Sequence, residues 1–398
     1  MNRRCSARLR RSIPRHSLRF MPSYCYTQRQ PDPLLPGIAL NLVRFEYNYL
    51  ESISMNQQLV CWCGNPQFTP FSSDYQRCTH CESLVWTGKG RSASEEPYRS
   101  GEVYYNRDYW FNHQTADLGL DDIETRARLD LPERCLYWLK FVLKYHLPPA
   151  NVLELGSAHG GFVALLRKAG YDAVGLEIDP WVVNFAQRTF NIPMLTGLVE
   201  EQQIEPASFD IIILMDVLEH LPDPQHTLEI CTNLIKPDGL LVIQTPEVPT
   251  GKTYDGLIAE QHDFARMLIP QEHIHLFGKK GIAELCRRLG LQTLIFEPAF
   301  FPSQDQFFIA SRVAASPQPP EIIEKHLLNS ADGRIILALL DQDDRIKQLE
   351  GTLKAVEADH AERLRLIRQL EDILRKQDRI IRWLPHNILR RIVKLTKR

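Results

Sequence analysis

The sequence predicts an α/β fold: a doubly wound, Rossmann-like sheet with a small cysteine module before it and a coiled coil after it. Three observations predict this. From Pro148 to about Val313, short apolar runs alternate with segments of helical periodicity, the mark of successive βαβ units. Cys61, Cys63, Cys78 and Cys81 make two close pairs within one short span. From residue 336 onward, apolar residues recur at heptad spacing, the period of a supercoiled helix.

Bulk properties narrow the function classes. A chain of 398 residues has room for one large domain plus attachments. With 44% hydrophobic and 24% charged residues it reads as a soluble globular protein. Its formal net charge of −2 does not indicate a general nucleic-acid-binding surface. No apolar run approaches the ~20 residues of a membrane-spanning helix. The clustering of four of the nine cysteines suits a metal clip in a reducing cytosol better than a disulfide framework.

In chain order, residues 1–54 are Arg-rich, with no acid before Asp32. They read as a disordered or untranslated leader, with Met55 as the true start, in preference to an organelle transit peptide. Residues 57–90 form the cysteine module. The pairs Cys61-x-Cys63 and Cys78-x-x-Cys81 supply four thiolates that can close a tetrahedral, structural zinc site. Residues 95–147 carry an aromatic segment and a helical lead-in. Of Tyr104, Tyr105, Tyr109 and Trp110, one tyrosine is expected to act as a lid, since aromatic faces favour a cation.

The sheet domain spans 148–313. Val152–Leu155 reads as its first strand, Gly156 to Gly161 as a tight turn, and Phe162–Ala169 as a helix. Glycines let the backbone turn sharply and a ligand approach closely. A second strand, Ala173–Leu176, ends in Glu177, about 20 residues past the turn, where an acid can hold ribose hydroxyls. Alone, the turn fits two cofactor classes: Gly156, Ala158 and Gly161 almost match a dinucleotide fingerprint, whereas Glu154, Gly156 and Gly160 match E-x-G-x-x-x-G. Downstream, FDIIILMDVLEHLPDP supplies a strand, Ile211–Met215, and then Asp216; LIKPDGLLVIQTP supplies an Asp238–Gly239 turn into a further strand.

This succession resembles the class I S-adenosylmethionine-dependent methyltransferases throughout residues 150–312. The resemblance implies that Gly156, Ser157 and Gly160 line the methionine part of the cofactor with backbone groups. It implies that Glu154 anchors that region, Glu177 holds the ribose, Ile178 lies against adenine, and Met215 and Asp216 border the sulfonium. Ala158 replaces a glycine common in the family, and Leu198 and Val199 stand where the family often has a polar residue for adenine. Glu219 and His220 read as a turn and helix start, the carboxylate suiting orphan N–H groups.

An insertion at 247–281 contains EHIHLFG, which resembles an "EHlhlFs" segment of the family on the acceptor side. Glu272 and His273 are its candidate catalytic residues, His273 having a pKa suited to proton removal; His275 is expected only to bond backbone. Zinc modules fused to this fold resemble those of sugar methyltransferases and of ribosomal RNA methyltransferases. The span 61–81 holds Arg77 as its clear cation, so a small-molecule or glycan acceptor is favoured, a nucleotide sugar or surface polysaccharide foremost. A ribosomal RNA methyltransferase, a quinone-type O-methyltransferase and a non-catalytic coiled-coil scaffold are the alternatives.

Residues 314–335, with SPQPP, read as a linker. Residues 336–381 form the coiled coil: Leu339, Ile346, Leu353, His360, Ile367, Leu374 and Ile381 share one heptad position. That pattern predicts a homodimer or higher oligomer. The tail 382–398 has no acid, and a helix from about Asn387 would segregate Ile388, Ile392 and Leu395 from most of its Arg and Lys residues. Such ends can lie on anionic membrane surfaces, at the inner face of the membrane for a cytoplasmic protein; a solvated tail, or one packed on the enzyme domain, is the competing and slightly favoured expectation.

Overall fold

A computed structural model describes residues 59–88, 107–117, 119–270, 272–383 and 386–395. The leader 1–54, Tyr104 and Tyr105 lie outside the described residues. Near the amino end, β1 (Phe68–Pro70), β2 (Tyr75–Cys78) and β3 (Leu84–Trp86) form an antiparallel meander. A wide-turned helical segment, Tyr109–Asp117, leads to α1 (Ile123–Leu129) and α2 (Leu136–Tyr145). The alternating part runs β4 (Asn151–Leu155), α3 (Gly161–Ala169), β5 (Asp172–Glu177), α4 (Pro180–Phe190), β6 (Met194–Thr196), β7 (Phe209–Met215), α5 (Pro224–Leu234) and β8 (Ile235–Pro246). After it come α6 (Tyr254–Ala259), β9 (His275–Leu276), α7 (Lys279–Arg288), β10 (Thr293–Glu297) and β11 (Asp305–Ser311). The chain closes with α8 (Pro320–Leu327), α9 (Ala331–Trp383) and α10 (His386–Leu395).

The large sheet has the order β10-β11-β8-β7-β4-β5-β6. Strands β4 to β8 pair in parallel, and β11 inserts antiparallel beside β8. The order reverses at β4 and β7, so a crevice opens at the carboxyl ends of those two strands. Their apolar runs are buried on both faces: Val152, Leu153, Ile211, Ile212, Ile213 and Leu214 are each 0% exposed, as a sheet covered by helices requires. Helix starts are set locally: Asp179 accepts from the N–H groups of Trp181 and Val182 with Pro180 at the first helical position, and Asp223 accepts from that of His226.

Three expectations change. Asp238 and Gly239 lie within β8, which begins at Ile235, because Ile235 already pairs with Phe209 and a register shift absorbs the extra residues. Residues 314–335 are not a free linker: α8 and the start of α9 bury Leu327, Ile336 and Leu340 in the core that α2 and α3 share. Lys140 to Asp343 (2.8 Å) and Lys168 to Asp332 (3.1 Å) reinforce this docking. The cysteine module is not separate either, since β9 from the 247–281 insertion pairs with β3, making one small sheet β1-β2-β3-β9.

Candidate active site

The cofactor side is built from the ends of β4 and β5. Glu154 is buried, and its Oε2 has no hydrogen-bond partner among the described residues. Burial, with repulsion from Glu177 second, holds its carboxyl well above the usual range. Gly156 and Gly160 take left-handed backbone, φ +64° and +78°; a Cβ would meet Val217 Cγ2 at 2.5 Å in the first and Ile192 Cδ1 at 2.5 Å in the second. Both therefore need glycine for conformation and for close approach. The N–H groups of Gly156 and Ser157 donate to the Leu176 carbonyl (2.9 and 3.2 Å), and that of Gly160 to the Ser157 carbonyl (2.8 Å). These donors shape the loop itself. Glu177 accepts from the N–H groups of Ile178 (2.7 Å) and Ala158 (3.0 Å), so the second-strand acid also braces the turn. Ala158 also takes left-handed backbone, at φ +46°.

His159 lies in this loop without having been singled out from the sequence. Its Nδ1 accepts from the Gly161 N–H (3.0 Å), so its Nε2 carries the proton donated to Asp130 (3.1 Å). It caps α3 and ties the loop to α1. Its one sequence signal was a histidine two residues before the start of that helix.

At the end of β7, Met215 is buried and Asp216 sits at φ +57°. Gln244 donates to Asp216 (2.9 Å) while accepting from the Trp138 indole (3.0 Å), and Arg134 stands 3.5 Å from Asp216. Asp305, on β11 beyond β8, is pushed up to about 8 by burial and then by Asp216. Residues Leu218–His220 form a short 3-10 turn. Glu219 lies in this turn as expected; its buried carboxylate meets a backbone N–H of the turn and also accepts from the Thr245 hydroxyl (2.8 Å) on β8, which runs beside it.

The segment expected on the acceptor side, residues 272–277, folds onto the turn after β7. The Ile274 N–H donates to the Glu219 carbonyl (2.8 Å), and His220 Nδ1 donates to the Glu272 carbonyl (2.8 Å). His273 is buried; its Nδ1 donates to the Met267 carbonyl (2.6 Å), and its ring centroid lies 4.9 Å from that of His220. Burial lowers the pKa of both, His220 to about 3, so both rings are neutral at pH 7. The Glu272 carboxylate faces the aromatic segment instead, 2.7 Å from His113 Nε2. His275 bonds the Leu221 carbonyl (3.2 Å). Tyr109 and Trp110 pack with Ala158 and Trp181, so their segment spans from the glycine loop to Glu272.

In the cysteine module all four Sγ atoms converge: Cys61 to Cys81 is 3.5 Å, Cys63 to Cys78 is 3.6 Å, and each lies within 4.8 Å of the others. An edge of a tetrahedron with zinc–sulfur bonds of about 2.3 Å is about 3.8 Å, so the four thiols fit such an ion and are far too distant for disulfides. Burial pushes the Cys63 thiol up to about 11, whereas the hydrogen bond with Cys61 draws Cys81 down to about 5. The module also supports the acceptor segment: the Tyr75 hydroxyl donates to the His273 carbonyl (2.9 Å), and the Trp86 N–H to the Ile274 carbonyl (3.0 Å).

Residues 127–294 match the family described as a methyltransferase domain. The ubiquinone biosynthesis O-methyltransferase of Xanthomonas campestris pv. campestris is 31% identical over 108 residues, covering 25% of this chain and 44% of that protein. The protein of the same name from Methylococcus capsulatus is 24% identical over 182 residues, 42% of this chain and 73% of that one. The chain thus spans less than half the length of the Xanthomonas relative. Haemonchus contortus phosphoethanolamine N-methyltransferase 2, solved in complex with S-adenosyl-L-methionine, aligns with a TM-score of 0.42 at 16% identity over 56% of this chain and 62% of its own.

Proposed function

We propose that the chain is a class I S-adenosylmethionine-dependent methyltransferase, as its match to a methyltransferase domain over residues 127–294 supports, and that it transfers a methyl group to a small-molecule or glycan acceptor, a nucleotide sugar or surface polysaccharide foremost. The observation that carries this is the pair of buried strand-end acids beside the glycine loop, Glu154 with an unpartnered Oε2 and Glu177 bracing the turn. A buried carboxylate with one oxygen unpartnered fits an ammonium group such as the methionine end of the cofactor presents. Glu177 keeps lone pairs for ribose hydroxyls, half-buried Ile178 offers adenine an apolar contact, and Met215 and Asp216 border the sulfonium. When bound, S-adenosylmethionine supplies a methyl group on a positive sulfur, open to in-line displacement. The protein's contribution is then mainly positioning. His273, with a neutral ring on the acceptor segment, is proposed to meet the acceptor, and Glu272 to position that segment through His113. A quinone-type phenol is the second reading, favoured by relatives named for ubiquinone biosynthesis.

Glu177→Ala is expected to weaken S-adenosylmethionine binding by about 1.5–3 kcal/mol, the scale of a charged group's hydrogen bonds. Calorimetry on wild type and variant checks it, and a wild-type protein that binds no S-adenosylmethionine refutes the function outright. Labelled cofactor offered with a panel of nucleotide sugars then tests the acceptor class.

The four thiolates are proposed to hold one structural zinc. Helix α9 is proposed to pair chains, since Leu349, Leu353, Val356, Leu370 and Leu374 are all more than half exposed on a single chain. Light scattering should give at least twice the mass of one chain, and a monomer would contradict it. No helix among the described residues is long and apolar enough to cross a membrane. The short α10 instead combines Ile388 and Leu395 with Arg390 and Arg391, which supports a peripheral contact at an anionic surface, each basic residue adding about 1 kcal/mol. The full chain should co-sediment with anionic liposomes at low salt more than a truncation ending at Ile381. Equal sedimentation would leave the tail no membrane role.

A further inference from the structure

An unbroken run of polar side chains joins the segment 272–277 to the glycine loop. At one end the Glu272 carboxylate meets two residues of the aromatic segment Tyr109–Asp117: the Tyr109 hydroxyl donates to it at 3.5 Å, and His113 Nε2 stands 2.7 Å away. Gln114 Nε2 donates to the Tyr109 oxygen (3.2 Å), and Gln114 Oε1 accepts from Nη1 of Arg126, on α1 (2.8 Å). Arg126 Nε donates to the Asp130 carboxylate (3.2 Å), which also accepts from His159 Nε2 (3.1 Å). His159 Nδ1 then accepts from the N–H of Gly161, where the loop becomes α3 (3.0 Å). Gln114, Asp130, His159 and Glu272 are all buried.

Donor chemistry fixes the direction of each link. Arginine only donates, so the Gln114 oxygen faces Arg126 and its nitrogen faces Tyr109. Carboxylates only accept, so the bonds run outward from Arg126 to Asp130 on one side and to Glu272 on the other. The Arg126 guanidinium also lies 5.4 Å over the ring of Trp110, which packs with Ala158 of the loop. The fold does not need this run to seat its elements. Asp122 caps α1, Ile123 buries it, and Tyr109 and Trp110 pack against Val182 and Trp181. What the polar run adds is orientation. In a low-dielectric interior, turning one member leaves its neighbours unpaired, so a change at one end shifts the arrangement favoured at the other.

We propose that Gln114, Arg126 and Asp130 are positioning residues that carry the state of the glycine loop to Glu272, so that binding of the cofactor sets the acceptor segment. The inference rests on the reading of that loop as the S-adenosylmethionine site. Its consequence is an order of events: the cofactor-loaded protein takes the acceptor more tightly, and by linkage the acceptor tightens the cofactor equally.

Hydrogen exchange on the purified full chain, with and without S-adenosylhomocysteine, tests this without any acceptor. In the wild type the ligand should slow exchange at residues 156–161 and also at 272–277, the latter by about fivefold or more. Arg126→Met keeps the stem but removes the fork that joins Gln114 to Asp130. It should keep the slowing at 156–161 and lose it at 272–277. Tyr109→Phe combined with His113→Leu cuts the run at Glu272 instead and should behave the same way; it decides alone if Arg126→Met binds no ligand. Slowing at 272–277 that survives in a variant still binding the ligand overturns the proposal. Loss of ligand binding in both variants overturns it too, since the run would then be a structural brace. Wild-type protein that binds S-adenosylhomocysteine without slowing 272–277 refutes this inference alone, whereas wild-type protein that binds neither it nor S-adenosylmethionine refutes the proposed function and the inference with it.

Discussion

His273→Ala is expected to lower turnover about 10²-fold or more, the scale of a lost proton-handling or orienting group, while S-adenosylmethionine binding stays near wild type. The separation follows from the geometry. The cofactor loop is shaped by bonds among Gly156, Ser157, Leu176 and Glu177, none of which involves His273. The acceptor segment is held by other bonds, from Ile274 to Glu219 and from His220 to Glu272. Removing the ring leaves both sets in place. The measurement is labelled-methyl transfer alongside calorimetry of the cofactor. Unchanged turnover would make His273 a loop residue, and lost cofactor binding would mean that the substitution had disturbed the crevice as a whole.

Cys81→Ser should reduce bound zinc from about one per chain to near zero and should also loosen the acceptor segment. Free cysteine modules on flexible tethers would show only the first effect. Here β3 follows Cys81 closely and pairs with β9, Leu84 opposite Leu276 and Val85 opposite His275. Tyr75, on β2 between the two cysteine pairs, donates to the His273 carbonyl. Metal loss should therefore raise hydrogen exchange across residues 272–277 and lower turnover with it, with cofactor affinity much less affected. Metal analysis showing no zinc in wild-type protein prepared without chelator would refute the zinc site. Exchange at 272–277 unchanged after zinc loss would show that the small sheet stands without its metal.

The features legible in the sequence are those that short spacing dictates. Glu154, the glycine turn and Glu177 belong to one strand–turn–helix–strand unit, where residue types at fixed offsets already imply a ligand-binding loop. The cysteine pairs are legible for the same reason: neighbouring thiols need no distant element to meet. Periodicity likewise marked the βαβ succession and the long carboxyl-terminal helix, since burial on one face repeats along the chain. The bond from Thr245 to the Glu219 carboxylate was not legible because Thr245 lies on the next strand, and the linker reading failed because prolines that begin α8 look the same as prolines that end a domain.

By itself, then, the sequence determined the fold class, the glycine loop with its two strand-end acids and the clustering of four cysteines. Tertiary structure alone decided that β9 completes the cysteine module's sheet, that His159 locks to Asp130, that Leu327, Ile336 and Leu340 enter the core, and that Glu219, His220 and His273 converge. The physical reason is common to all four. Each depends on backbone pairing or packing between segments far apart in the chain, and the periodicity of one segment carries no information about which distant segment it will meet.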